Sequence, residues 1–404
     1  MLILIEFKYL ILMFLKDIFF FLRNVIFGIF SYLIPVKKNK IVIRSQKGNS
    51  IGGNVKYIVR EIEKQNLNYE LVWLCNKDFR EGREEFRKVR FVDNENKYRA
   101  FFETASAKLW LDDSVKIPEL RFGLRKKKGQ KYINTWHGSF GIKKLFYDVD
   151  EFFSLSLEYI KLHNRDFSKY CDIMLSNCAW EDEVFKRAFR FKGKIERVGH
   201  PKNDIFFEDR EFYRKKVFNK LGISLDKKVA LYMPSFRESL TARCFNLDYK
   251  RVEKSLSERF GGDWVVVSRF HPFNLENKSS VFGVCDSQID ATYYSDPQEL
   301  LVAADVLISD YSSCMFDYMM TKRPCFIFAT DIAEYNQERG FYYPLETTPF
   351  PIAQNNDEMQ NNILNFDIEK FKLDSEKFLT ERNILEDGLA SKRTVEIIKN
   401  IINV

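Results

Sequence analysis

The stretch Ile308-Ser309-Asp310-Tyr311-Ser312-Ser313-Cys314-Met315-Phe316-Asp317 has the residue types and spacing of a phosphate site. The apolar run before it, Asp305-Val306-Leu307-Ile308, predicts a buried parallel strand. Ser309 to Ser313 suit a tight turn and a helix cap, with a helix expected to follow through Met320. A strand that runs straight into a helix start gathers free backbone N–H groups at one spot and favours an anion there. No glycine-rich phosphate loop accompanies the turn, so the Ser312 and Ser313 hydroxyls would supply the extra donors.

Proton transfer needs a different group, and histidine is scarce in this chain. Three of the four histidines, His137, His200 and His271, fall in turns directly after predicted strands, and only His163 lies elsewhere. In Thr135-Trp136-His137-Gly138-Ser139, an imidazole sits beside a glycine that permits close backbone approach, with Lys143 and Lys144 following. An unperturbed imidazole titrates near neutrality, so His137 is a candidate general base. The alternative for any single one of these is a structural histidine. Gly199-His200-Pro201-Lys202-Asn203-Asp204 also reads as a plain turn. Arg237, in Met233-Pro234-Ser235-Phe236-Arg237, and Arg269, in Arg269-Phe270-His271-Pro272, stand where a guanidinium could grip two phosphate oxygens. His271 could then donate to a leaving phosphate. A last cluster, from Asp331 and Glu334 to Glu338, Arg339 and Phe341, could cover a ligand or form a solvated helix face.

These residues need a scaffold that collects strand ends. Short apolar strands are expected at Lys40–Arg44, Tyr69–Leu74, Val89–Val92, Lys108–Leu111, Tyr132–Thr135, Ile173–Leu175, Arg197–Val198, Val229–Met233, Trp264–Ser268, Val306–Ile308 and Cys325–Phe328. Helical periodicity between them, as in Val55–Gln65 and Tyr249–Phe260, predicts an α/β protein with doubly wound parallel sheets. In such sheets ligands gather beyond the carboxyl ends of the strands. A chain of 404 residues exceeds one ordinary core, which implies two domains. We expect a division into 1–36, 37–215 and 216–404, with a final helix crossing back to the first domain.

The net charge of +7 is spread along the chain, which suits an anionic ligand or a membrane surface without pointing to nucleic acid. The basic run Arg121, Arg125, Lys126, Lys127, Lys128 and Lys131 reads as a solvated loop or an anion contact. Seven cysteines without a C-x-x-C pair read as reduced core residues, and neither a metal nor a cofactor is expected. Residues 1–35 are rich in Leu, Ile and Phe, yet Glu6, Lys8, Lys16, Asp17 and Arg23 leave no comfortable membrane span. On a helical wheel these charges and Asn24 occupy one half, while Phe7, Leu10, Phe14, Ile18, Phe21 and Val25 occupy the other. That pattern predicts an amphipathic helix lying in a membrane surface, or else a helix buried on its own domain.

Taken in order, the motifs resemble the CDP-glycerol:poly(glycerophosphate) glycerophosphotransferase family. They run from Gly53-Asn54 and Lys56, through Trp136-His137-Gly138 and Gly199 to Asp204, to Pro234–Arg237, Arg269–Pro272, Ser309–Asp317, Asp331, Tyr335, Arg339-Gly340-Phe341 and Asp387-Gly388. The resemblance implies a GT-B-like pair of Rossmann-type domains and a peripheral enzyme at the cytoplasmic face of the cell membrane. It implies His137 as base, His271 at the diphosphate or leaving group, and Asp290 at the cytidine or ribose. Ser312 and Ser313 would bind phosphate and Asp317 would support them; Gly138, Arg237, Arg269, Asp310 and Arg339 complete the expected substrate site. The donor would be CDP-glycerol, or CDP-ribitol, and the acceptor a lipid-linked saccharide or polymer. A homo-oligomer is compatible with this reading. The rival readings are a UDP-sugar glycosyltransferase on the same scaffold and an inactive polymer-binding protein.

Overall fold

The computed structural model describes residues 2–403 except 115–116, 139–140, 150–166, 168, 236, 238–244 and 271–288; for 2–14, 16, 17, 118, 121, 338 and 339 it describes the backbone alone. Two parallel sheets carry the chain. The first contains β1 (Lys37–Arg44), β2 (Glu70–Cys75), β3 (Val89–Asp93), β4 (Ala107–Asp112), β5 (Lys131–Asn134), β6 (Ile173–Ser176) and β7 (Lys194–Arg197), in the order β3-β2-β1-β4-β5-β6-β7. The second contains β8 (Lys228–Met233), β9 (Trp264–Ser268), β10 (Ile289–Asp290), β11 (Val306–Ser309), β12 (Cys325–Phe328) and β13 (Ile352–Ala353), in the order β10-β9-β8-β11-β12-β13. Strand order reverses between β1 and β4 in one sheet and between β8 and β11 in the other. Such reversals open a crevice at the carboxyl ends of the strands.

The central strands form where they do because they are buried on both faces. Ile41, Val42, Ile43, Leu71, Val72 and Trp73 are all at most 4% exposed, so consecutive apolar residues serve two cores rather than alternating with water. Ile43, Trp73 and Leu109 face one layer, and Val42, Val72 and Trp110 the other. A separate core surrounds the second sheet. The strand expected at Arg197–Val198 lies earlier, at Lys194–Arg197. Its sequence KIER is polar because β7 is an edge strand, so hydrophobic periodicity does not mark it.

The C-terminal helix Ala390–Ile402 places Val395, Ile398 and Ile402 against Val55, Ile58 and Ile62 of helix Gly53–Lys64, on the first sheet. Residue 215 falls inside helix Arg210–Leu221, whose Val217 and Phe218 join the second core. The N-terminal helix Leu2–Leu33 ends against the basic run. There Lys127 Nζ donates to the carbonyls of Ser31 (2.8 Å) and Ile34 (2.6 Å), so part of that run caps a helix instead of forming a solvated loop. Among the described residues, no helix is long and apolar enough to cross a membrane. Cys75, Cys171, Cys178, Cys314 and Cys325 are buried free thiols; Cys244 and Cys285 lie outside the described residues.

Candidate functional site

The two switch points face each other. Beyond β5, Trp136 holds a left-handed backbone (φ 50°), and its carbonyl and that of Thr135 accept from Asn54 Nδ2 at 3.1 and 3.0 Å. This turn delivers His137. The His137 Nδ1 lies 2.8 Å from the Asp113 carbonyl oxygen. A carbonyl only accepts, so Nδ1 carries the hydrogen and Nε2 keeps its lone pair, the tautomer a general base requires. His137 is open to the cleft yet enclosed by protein on its other sides. Desolvation lowers its pKa; the Asp113 carbonyl opposes this, and the charges of Lys202, Lys47 and His200 push it further down. The imidazole is therefore held neutral.

A second turn with left-handed residues, Gln46 (φ 44°) and Lys47 (φ 60°), follows β1. The Asp113 carboxylate fixes it, accepting from Ser45 Oγ and the Gln46 N–H, both at 2.7 Å. Burial raises the pKa of Asp113 and of its neighbour Asp112. Backbone strain clustered around an exposed histidine is a common property of functional sites. The sequence offered no sign of this turn beyond its glycines.

Across the cleft, β11 ends in Ser309 and the chain turns through Asp310 to Ser313 before the short helix Cys314–Met319. Neither serine caps that helix through its side chain into the first turn beyond a 3.4 Å contact of Ser312 Oγ with the Cys314 N–H. A methyl group on Gly138 would stand 3.6 Å from Ser313 Oγ, so the His-Gly turn and the Ser-Ser turn meet. That is an ordinary van der Waals distance, so the approach does not depend on a glycine at 138. The cleft is further bridged by Lys143 Nζ to Ser235 Oγ at 3.1 Å and by the Tyr342 N–H to the Ile142 carbonyl at 2.7 Å.

The two arginines behave differently. Arg269 Nε is buried and has no hydrogen-bond partner among the described residues, and burial lowers the pKa of its guanidinium. An unmatched buried donor of this kind fits an anionic ligand. Arg237, expected at phosphate, is instead gripped by Asp310 and Asp331, with Nε to Asp331 Oδ2 at 2.6 Å and Nη2 to Asp310 Oδ2 at 2.9 Å. Asp310 also accepts from the Ser235 N–H at 2.9 Å, which makes it a brace for the β8 turn. Asp317 is paired with Lys202. Asp290 ends the edge strand β10, exposed, with Oδ1 accepting from the Thr292 N–H at 2.9 Å. His271 and the Arg339 side chain lie outside the described residues. Among the described residues, no group of His, Cys, Asp and Glu is arranged to hold a metal ion.

Two Rossmann-type sheets with a histidine turn on one and a diserine turn on the other define a GT-B-like α/β protein. A family model described as CDP-glycerol:poly(glycerophosphate) glycerophosphotransferase matches residues 26–400, and the chain belongs to that family. It is a transferase of teichoic acid synthesis, acting in glycerol phosphate transfer. A teichoic acid poly(glycerol phosphate) polymerase of Bacillus spizizenii is 28% identical over 96% of this chain and 98% of its own length. Two further polymerases of that name are spanned for about half of their length. A teichoic acid ribitol-phosphate primase of Bacillus spizizenii is 26% identical over 95% of this chain and 98% of its own. The solved structure of the wall teichoic acid polymerase TagF is similar with a TM-score of 0.79, 26% identity and 97% coverage of both chains.

Proposed function

We propose that this chain transfers glycerol phosphate from CDP-glycerol to a hydroxyl of a lipid-linked saccharide or polymer, with His137 as general base. Nε2 takes the hydroxyl proton as the oxygen attacks the phosphorus that bears glycerol. The bond from that phosphorus to the bridging oxygen breaks, and CMP leaves with the electron pair. Arg269, Ser312 and Ser313 hold the phosphates where charge develops, and positioning with electrostatics supplies most of the rate. His271 serves the leaving group, Asp290 binds the ribose or cytidine, and Arg339 binds substrate. Arg237, Asp310 and Asp317 shape the site through their ion pairs. The observation that carries the reading is the approach of Gly138 to Ser313, which brings the His137 turn beside the Ser312-Ser313 turn and supports their acting on one substrate.

The test is CMP release by the purified protein with a lipid-linked acceptor, offering CDP-glycerol, CDP-ribitol and UDP-sugars in parallel. CMP from CDP-glycerol, at a kcat/KM well above that for CDP-ribitol, is expected. The reverse preference would make it a ribitol-phosphate transferase, UMP or UDP release a sugar transferase, and no release an inactive scaffold.

We also propose that it works as a peripheral protein at the cytoplasmic face of the membrane, seated through its N-terminal helix. Ser31, Arg23 and Asn24 turn toward the domain, where Arg23 stacks 4.4 Å from the Phe122 ring centre and Ser31 is fully buried. Leu15 (55% exposed), Phe19 (63%), Leu22 (53%) and Ile29 (58%) point away from it, beside exposed Tyr98 and Phe102. A helix that turns Arg23, Asn24 and Ser31 inward beside Phe27, and leaves these apolar side chains bare, suits an interfacial seat. Losing two buried apolar side chains costs about 3–6 kcal/mol. The double variant Leu22→Asp, Ile29→Asp should therefore bind phosphatidylglycerol vesicles at least ~100-fold more weakly in co-sedimentation. Unchanged vesicle binding would remove the helix from this role.

A further inference from the structure

One buried lysine is wired to both halves of the cleft. Lys202 lies in the 3-10 turn Pro201–Phe207 that follows β7, and it is 6% exposed. Its backbone N–H donates to Asn54 Oδ1 at 3.0 Å, and the same Asn54 amide holds the Thr135 and Trp136 carbonyls immediately before His137. Its ammonium donates to the carboxylate of Asp317, which is 1% exposed on the helix that begins after Ser313. The Lys202 carbonyl accepts from Gln298 Nε2 at 3.3 Å, on a helix of the second core. Backbone and side chain of a single residue thus join the histidine turn to the diserine turn.

We infer that Lys202 is a positioning residue for the transfer, fixing the distance between His137 and the Ser312-Ser313 turn and keeping a positive charge beside the base. The inference rests on the reading of His137 as base and of the serines as phosphate ligands. Two physical effects follow from the placement. A buried charge stripped of its partner is strongly destabilising, so the Lys202–Asp317 pair holds its elements firmly once formed. A misplacement of reacting groups by about 1 Å costs on the order of 100-fold in rate. The charge acts separately. His137 is met by the Asp113 carbonyl after β4, by the charge of Lys47 from the turn after β1, and by His200 and Lys202 from the turn after β7. Asp113 is engaged by Ser45 and Gln46, Asp112 by Ser114, and His200 by Glu181 at 3.2 Å. Of the three cationic or titrating neighbours that disfavour the imidazolium, Lys202 acts most strongly. Without it the imidazole binds its proton more tightly, and the neutral base is available only at higher pH.

The experiment compares wild type, Lys202→Met, Lys202→Gln and Lys202→Arg in CMP release from CDP-glycerol across pH, with thermal melting of each. Lys202→Met should lose about 100-fold in kcat, and the acid limb of its kcat/KM profile should move to higher pH. Lys202→Gln, which keeps a donor toward Asp317 but no charge, should show the same displaced limb with a smaller loss, and it serves if Lys202→Met does not fold. Lys202→Arg should restore the wild-type limb and most of kcat. A kcat within threefold of wild type in the neutral variants, or a loss with the limb unmoved, would overturn the inference while leaving His137 as base. Wild-type turnover in His137→Ala would overturn the base assignment and this inference with it.

Discussion

Replacing His137 by alanine is expected to lower kcat for CMP release by about 10²–10⁴-fold, the range for loss of a general base, with little change in CDP-glycerol binding. The separation of the two effects follows from geometry. Arg269 and the serines lie at the ends of β9 and β11 in the second sheet, whereas His137 follows β5 in the first. The donor therefore keeps its ligands when the base is removed. The pH profile gives a second reading of the same variant. Only the neutral imidazole accepts a proton, and desolvation, aided by Lys202, Lys47 and His200, holds its pKa below the ordinary histidine value. In wild type the kcat/KM profile should stay flat down through neutrality and fall only below the usual imidazole range. That limb should vanish in His137→Ala. A limb that persists would assign the titration to Asp112 and Asp113, whose burial raises their pKa values toward the same region.

The elements that position this site were legible where one sequence signal sufficed. β2, β8 and β11 are largely apolar runs because both faces are buried, and the ends of β5 and β11 marked His137, Gly138, Ser312 and Ser313 as neighbours of a cleft. The two-residue strands β10 and β13 are too short to carry any periodicity. Partners far apart in sequence were not legible at all. Arg237 stands at a strand end like Arg269, and the two differ only because Asp310 and Asp331 reach the first and no described carboxylate bonds the second. Lys202 looked like one residue of a turn, since its partner Asp317 lies 115 positions away. Of the polar residues expected on one face of the N-terminal helix, the side chains of Glu6, Lys8, Lys16 and Asp17 lie outside the described residues, and Arg23 and Asn24 turn toward the protein rather than toward water. A helical wheel separates two faces without saying which one is outside.

Arg237→Ala should act on stability before it acts on catalysis. The guanidinium is 4% exposed and satisfied on all sides: Asp331 binds Nε at 2.6 Å and Nη2 at 3.1 Å, Asp310 binds Nη2 at 2.9 Å, and the Ser235 carbonyl accepts from Nη1 at 3.1 Å. Its carbon lies 4.8 and 4.7 Å from the ring centres of Tyr311 and Tyr335, which adds cation–π attraction in a desolvated place. Burial by itself would lower the pKa, but Asp310 and Asp331 outweigh it and hold the group above the ordinary arginine value. Truncation leaves two carboxylates at the cleft without their shared cation, and breaking a buried pair in this way costs about 3–5 kcal/mol. For a domain of this size that corresponds to a melting point lower by roughly 6–20 °C. Arg237→Lys should lose much of the same stability, because an ammonium cannot span both carboxylates or lie flat on the rings. Calorimetry of both variants beside CDP-glycerol titration separates the two roles of this residue. Wild-type melting with weakened donor binding would show that the guanidinium leaves its carboxylates for phosphate. Early melting, with donor affinity near wild type at a temperature where the variant is folded, is the outcome that this clamp of charges and rings demands.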